Sequence, residues 1–430
     1  MPQADNLLDA YNNFYYQEPL VFAPGAPRGR SSEFWVDRPG NPHDELKGQI
    51  LASTDPQKFL FAGHRGSGKS TELNRLLAEP EIRARFLTVQ FSAKETLDLT
   101  DATYVDLLLA TAGRMIVEAE AAGVGIQPSL KQRISGWRGS VVERLKRDDE
   151  SWGADVGLGL SAFFGKFVLR LKRESVTRTT VRQVVEAQVS ELMEWLVALV
   201  QEVNLGLSKS GRQLLVVVED LDKVISFEGA RRLFQNAGPY LSELPFKAIF
   251  TVPLALHYHP VFSEIVRAFG TSVFLPNVAL WDRDDPSRSL KDPGLATLRE
   301  FVENRMALTL IEEEALTEAI GMSGGVMYEL ARILRDACNK ARVRNHDRIS
   351  REVVLATVSD LRDEYERQLG QAHWEALDRV AASKIQPGTD ASLQLLYSKH
   401  ILEFRNDPHW CDIHPLLERP LARWRRLRKA

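Results

Sequence analysis

Gly63-His64-Arg65-Gly66-Ser67-Gly68-Lys69-Ser70-Thr71 is the stretch on which the reading turns. It fits G-x-x-x-x-G-K-[ST], and its surroundings matter as much as its letters. Phe59–Ala62 before it is a short apolar run of the kind that forms a buried strand. Leu73, Leu76 and Leu77 after it recur at helical spacing. Strand, glycine-rich turn and helix in that order predict a loop whose backbone N–H groups curl around a polyphosphate, with the helix N-terminus adding its dipole. Lys69 supplies a point charge to the β/γ oxygens, and the Ser70 hydroxyl can ligate Mg²⁺. Every residue from Gly63 to Thr71 is therefore an expected part of the phosphate cradle.

Such a site needs a carboxylate at the end of a neighbouring buried strand. Leu214–Val218, the most apolar run in the chain, ends in Glu219-Asp220-Leu221-Asp222-Lys223, 150 residues beyond Lys69. One acid there can hold Mg²⁺ through water while the next orients the attacking water. Phe86–Phe91, Ala248–Val252 and Val273–Leu275 read as further buried strands. Alternating with helices, they imply a parallel α/β sheet.

The chain has 430 residues, with 55 Lys+Arg against 58 Asp+Glu for a net charge of −3. Apolar residues make up 44% and charged residues 26%, with 27 Gly and 20 Pro, which excludes collagen-like, coiled-coil and largely disordered chains. Two cysteines build neither a disulfide framework nor a four-cysteine metal site, so a reducing cytoplasm is expected. MPQADNLLDAYNN lacks the basic and apolar regions of a signal peptide, and no apolar stretch is long enough to predict a membrane span.

The expected organisation has four parts. Residues 1–40 are an irregular arm. Residues 41–290 are the phosphate-loop core, interrupted by an insertion at about 125–210. That insertion holds a helix over 129–148, a glycine-rich hairpin over 157–171 and a long helix ending near Val203. Residues 291–368 are a helical lid. Residues 369–430 comprise helices over 371–382 and 391–398, strands Ile401–Phe404 and Trp410–Ile413, and a basic tail.

The two motifs together resemble AAA+ ATPases of the origin-recognition type, and the STAND and KAP groups of signalling P-loop ATPases. The likeness covers about residues 40–345. By it Glu219 takes the Mg²⁺-side position and Asp220 the water-orienting one. Relatives carry Asp first, so the alternative register makes Asp220 the metal-side acid and Asp222 its helper. The same resemblance makes Thr251 a polar residue near the γ-phosphate. It makes Ser323–Arg332 the start of a lid, with Tyr328 and Glu329 where an arginine is expected and Arg332 a turn further on. Arg267, at the end of the helix before the strand Val273–Leu275, falls where relatives offer an arginine to the next subunit, which implies a homo-oligomer. The C-terminal block resembles winged-helix modules.

The resemblance implies an ATP- and Mg²⁺-dependent switch or motor ATPase that regulates a protein partner, with bacterial antiviral defence as the first biological setting. The alternative is a DNA-binding loader or transposition-type helper. A small-molecule kinase fits less well, because the lid lacks an arginine-rich clamp. Arg419–Lys429 holds six basic residues in eleven around Trp424, a candidate nucleic-acid contact or a solvated helix end. Arg170, Lys172, Arg173, Arg178 and Arg182 form a second basic cluster, read as a solvated face. His257 with His259, and Cys411 with His414, lack the partners of a metal site.

Overall fold

The structure is a computed structural model and describes residues 3–22, 30–147, 149–155, 158–406 and 408–429. Its centre is a five-stranded parallel sheet made of β3 (Lys58–Gly63), β4 (Phe86–Ser92), β5 (Gln213–Glu219), β6 (Lys247–Pro253) and β7 (Gly270–Phe274), in the order β4-β5-β6-β3-β7. Parallel strands need helical crossovers that cover both faces, and this explains the nearly continuous apolar runs. On one face Phe59, Phe61, Leu215, Val217 and Ile249 pack with Leu46, Leu73 and Leu76. On the other, Leu60, Val216, Val218, Phe250 and Val252 join the main core. The register pairs Gly63 with Pro253 and Ser92 with Glu219, so loop and acids emerge at the same edge of the sheet. The expected α/β fold is therefore present.

The insertion is helical throughout its described part, with helices Pro128–Leu145, Leu160–Arg173, Ser175–Glu186 and Val189–Ser208. The expected hairpin over 157–171 is not there. Phe163, Phe164, Phe167 and Leu171 instead form the buried face of a helix. Phe164 packs 5.7 Å from Trp195, and Trp137 lies 5.4 Å from the same ring. The glycines suggested strand alternation, but tertiary burial of a 3.6-residue stripe decides the outcome. Arg178 is not a solvated residue either. It is buried and pairs with Asp98 at 2.6 Å and Asp101 at 2.8 Å, while Arg182 bridges Asp101 and Asp106.

The N-terminal arm is more ordered than its composition suggests. It contains β1 (Leu20–Val21), β2 (Arg30–Ser31) and a helix, Leu7–Asn13. Asn6 caps that helix, its side-chain oxygen accepting the N–H groups of Leu8 and Asp9 at 3.1 and 3.0 Å. Downstream of the sheet, helices Gly294–Glu303, Glu313–Met322, Met327–Val343 and Arg351–Glu366 precede Gln371–Ser383 and Asp390–Tyr397. An antiparallel pair follows, β8 (Ile401–Phe404) and β9 (Trp410–Ile413), and then a helix, Glu418–Lys429. In that last helix Trp424 stacks on Trp374, Arg423 pairs with Glu366, and Arg425 pairs with Asp378. Part of the tail's charge is thus spent within the molecule. No described helix is long and apolar enough to cross a membrane.

Candidate functional site

The phosphate loop leaves the end of β3 and turns into helix Lys69–Ala78, whose N-cap is Gly68 with φ +97°. Gly66, at φ +83°, has a second reason to be glycine, because a Cβ there would lie 2.4 Å from the Cβ of Tyr328. The Tyr328 N–H donates to the Gly66 carbonyl at 3.2 Å, so the helix Met327–Val343 rests directly on the loop. Lys69 is buried. Its Nζ donates to the Gly63 and His64 carbonyls, both at 2.9 Å, and pairs with Asp222 Oδ2 at 2.9 Å. Burial lowers the Lys69 pKa, and the Asp222 charge opposes that shift. Burial alone would raise the Asp222 carboxyl, but Lys69, Lys223 and Arg65 together hold the acid below its ordinary range.

Glu219 closes β5 and is 7% exposed. It accepts from Gln90 Nε2 at 2.5 Å and is hydrogen-bonded by Ser70. Burial pushes its carboxyl up to about 7, and the Ser70 and Gln90 bonds pull against that. Asp220 follows in the left-handed region, at φ 64°. Its carboxylate accepts from the Ser92 hydroxyl at 2.6 Å and meets Lys223 at 2.6 Å. A serine hydroxyl beside a carboxylate is a hard-oxygen donor set. Ser70 and Glu219 therefore fit Mg²⁺, which takes one or two protein oxygens and completes its octahedron with water and phosphate. Among the described residues there is no group of three or more His, Cys, Asp or Glu arranged to hold a metal on its own.

A cavity of about 620 Å³ opens over the loop, and Arg65, Lys69, Ser70, Asp220 and Asp222 are in its wall. The other expected site residues take different places. Thr251 is buried, and its hydroxyl accepts the Leu221 N–H at 3.1 Å; it holds the acidic turn and is not in the cavity wall. Thr71 lines the cavity, but its hydroxyl takes the Leu20 N–H of the arm at 3.2 Å. The His64 ring accepts the Glu403 N–H at 2.8 Å and is not in the cavity wall. Arg65 donates to the carbonyls of Asp222 and Val224, fixing the turn that carries the acids. Arg267 is exposed on helix Phe262–Phe269, outside this wall. Arg332 pairs with Glu364 at 2.5 Å and is also outside it. Tyr328, in the position expected of an arginine, is in the wall.

Several wall residues were not anticipated. Arg38 is buried and donates to the Ser67 carbonyl at 2.5 Å, with its Nη2 toward Met327 Sδ. It ties the arm, the loop and helix Met327–Val343 together. Trp35 Nε1 donates to Glu72 at 3.0 Å, and Tyr16 meets Tyr328 edge-on at 4.6 Å. The aromatic content of the arm was a usable signal for these contacts. Nothing near Arg38 in the sequence marks it. Lys399, from the C-terminal block, is in the wall as well.

No family profile matches the sequence, and no curated protein matches it. Among solved structures, the Aeropyrum pernix Orc1 protein in complex with DNA aligns at 13% identity, TM-score 0.41, over 90% of this chain and 93% of that one. The Aeropyrum pernix Orc2 protein, solved as ADPNP–ADP complexes, aligns at 12% identity, TM-score 0.40, over 97% and 98%. The Thermotoga maritima RuvB Holliday junction branch migration motor aligns at 12% identity, TM-score 0.36, over 90% and 95%.

Proposed function

We propose that the chain binds and slowly hydrolyses ATP as a switch ATPase of AAA+/STAND-like type, using nucleotide to set its conformation toward a protein partner. One observation supports this above the rest. Lys69, Ser70, Asp220 and Asp222 come from motifs about 150 residues apart in the chain and line one cavity, with Glu219 hydrogen-bonded to Ser70 beside it. In this reading the loop amides and Lys69 hold the β/γ phosphates, Lys69 exchanging its carbonyl contacts for phosphate oxygens. Mg²⁺, on Ser70 and Glu219, would neutralise charge on those oxygens when bound. Asp220 accepts a hydrogen bond from a water aligned with the γ-phosphorus. As the water oxygen bonds to phosphorus, the bond to the bridging oxygen breaks, ADP leaves, and the water proton passes to Asp220. Asp222, already committed to Lys69, positions that cation; this favours the register in which Glu219 faces the metal.

The helices after residue 291 act as the lid and residues 369–430 as a winged-helix-like module. Arg267 of a second copy completes the site in an assembly. The test compares two variants. Asp220→Asn is expected to bind Mg-ATP yet turn it over at least ~100-fold more slowly. Glu219→Gln is expected to lose Mg²⁺ dependence first. Exchanged phenotypes would shift the register by one residue, and full turnover in Asp220→Asn would remove its assigned role.

A further inference from the structure

A second, smaller cavity of about 270 Å³ shares no wall residue with the first. It lies between helix Tyr104–Ala121, helix Leu160–Arg173 and the short helix Ala93–Thr96. The first two helices meet closely at Gly113, where a Cβ would lie 3.0 Å from the Phe164 Cβ. Ala110, Val117, Phe164, Val168 and Leu169 give the cavity its apolar wall. Val117 and Leu169 are 38% and 44% exposed, so apolar surface here is left to water. An apolar cavity of about 150 Å³ is enough to take up benzene, and this larger one has room for a short alkyl chain.

The polar part of the wall is unbalanced. Two cations, Arg114 and Lys172, stand against one acid, Glu95. Lys172 Nζ donates to the Lys94 carbonyl at 3.0 Å and the Glu95 carbonyl at 2.5 Å. An ammonium carries three N–H groups, so one remains for a ligand oxygen. Thr96 is also in the wall, and its hydroxyl is buried with no hydrogen-bond partner among the described residues. Buried hydroxyls in that state are rare and call for a partner. An apolar wall beside cations and an unpaired hydroxyl matches the two ends of one molecule.

We propose that this cavity binds a small amphipathic anion, a short alkyl chain ending in a carboxylate or phosphate, with its head group at Lys172 and its chain against Phe164, Val168 and Leu169. The site has a route to the acids. Lys172 holds the end of helix Ala93–Thr96, and Ser92 caps its start, accepting the Glu95 N–H at 3.2 Å. The same Ser92 hydroxyl donates to Asp220 at 2.6 Å. A ligand that ties down Lys172 therefore steadies the serine on which Asp220 rests, and so alters turnover. That consequence rests on the nucleotide reading above; the site itself does not.

Calorimetric titration of the full chain with octanoate, octyl phosphate and octanol tests the site. One saturable site per chain is expected for the anions, the tighter of the two identifying the head group. Octanol should bind at least ~10-fold more weakly, because it lacks the charge-assisted contact. Hexanoate should be roughly 15-fold weaker than octanoate, since each buried methylene is worth about a factor of 4. Gly165 is in the wall, and a Cβ there would meet nothing within 4 Å, so Gly165→Leu fills the cavity without displacing a neighbour and favours the helix. It should lose octanoate at least ~10-fold; undiminished affinity would put the ligand elsewhere and overturn the proposal. Lys172→Met should weaken octanoate ~10-fold and leave octanol unchanged; equal losses would make Lys172 a structural tie and overturn the head-group placement. Failure of both anions to saturate would overturn the site and leave the nucleotide reading intact. Saturating octanoate should change ATP turnover in the wild type and not in Gly165→Leu, and an unchanged wild-type rate would remove the link to Asp220. A wild type without ATP turnover would count against the nucleotide reading, while the binding titrations still decide the site.

Discussion

The two sides of the cavity were built in different ways. The phosphate side is local: nine consecutive residues, Gly63 to Thr71, set strand end, turn and helix start, and one further strand end supplies the acids. The opposite side is assembled from Arg38, Tyr16 and Trp35 of the arm, Tyr328 of helix Met327–Val343 and Lys399 of the last block, which are brought together only by folding. On the first side charge is matched between the loop and the one acidic strand end, as with Lys69 and Asp222 at 2.9 Å. On the second, side chains are matched across hundreds of residues, as with Tyr16 and Tyr328, whose rings meet edge-on at 4.6 Å. Chemistry at this site can be written in a short motif, whereas control of it has to be written in the tertiary structure.

The largest effect should come from inside the motif. Lys69→Ala removes one partner of a buried ion pair, and such losses cost about 3–5 kcal/mol because the remaining charge stays desolvated. Denaturant unfolding should therefore show Lys69→Ala strongly destabilised and Lys69→Met/Asp222→Asn close to wild type. Equal stability of Lys69→Ala and the double variant would mean that the pair is not buried as described. The result matters for any loss of ATP binding in Lys69→Ala, which is interpretable only in a folded variant.

The long-range side should reveal itself through pH. Burial depresses His64 and His414 to about 3 and His257 to about 4. Lys69, Lys399 and His414 add to the effect at His64; at His414, Glu329 opposes it while Lys399, His400 and Arg288 reinforce it. Folded values below the free value mean that the unfolded chain binds protons first as pH falls through about 6.5. Stability is thus complete above 6.5 and declines below it. Three such residues together should remove about 3 to 4 kcal/mol between pH 6 and pH 5. His414→Asn retains an acceptor for the Leu416 N–H, which His414 now caps at 3.3 Å, and should lower that slope by about a third. A flat profile between pH 7 and 5 would contradict the buried neutral assignment.

A smaller effect separates contact from backbone. Gly66→Ala must find room against Tyr328 and adopt φ +83°, and should cost about 2 kcal/mol while loosening the contact with helix Met327–Val343. Gly48→Ala, in helix His43–Ala52 with nothing within 4 Å of the new Cβ, should instead add about 0.5–1 kcal/mol. Thermal melts of the two variants moving in the same direction would break the contrast.

What was legible in the sequence follows the same division. The five core strands and the convergence of loop and acids could be read because apolar runs and a glycine-rich turn are local signals. The stripe of Phe163, Phe164, Phe167 and Leu171 was equally local, but interleaved glycines gave it the look of alternation, and the hairpin expectation failed there. Helix Leu7–Asn13 had its cap in Asn6 and its buried face in Leu7 and Ala10, yet Pro and Gly further along the arm hid it. Arg38 and Lys399 carried no signal at all. A lone cation in a sequence says nothing about the carbonyl or carboxylate that will face it, so their places depended on the packing of distant elements.

Nucleotide binding at the loop underlies every role assigned to these residues. Calorimetric titration of the full chain with Mg-ATP should show one site per chain. Lys69→Met/Asp222→Asn, folded by circular dichroism, should lose at least ~100-fold in affinity, since two or more charge-assisted phosphate contacts go with the ammonium. No heat of binding in the wild type, or undiminished affinity in the folded double variant, would contradict it.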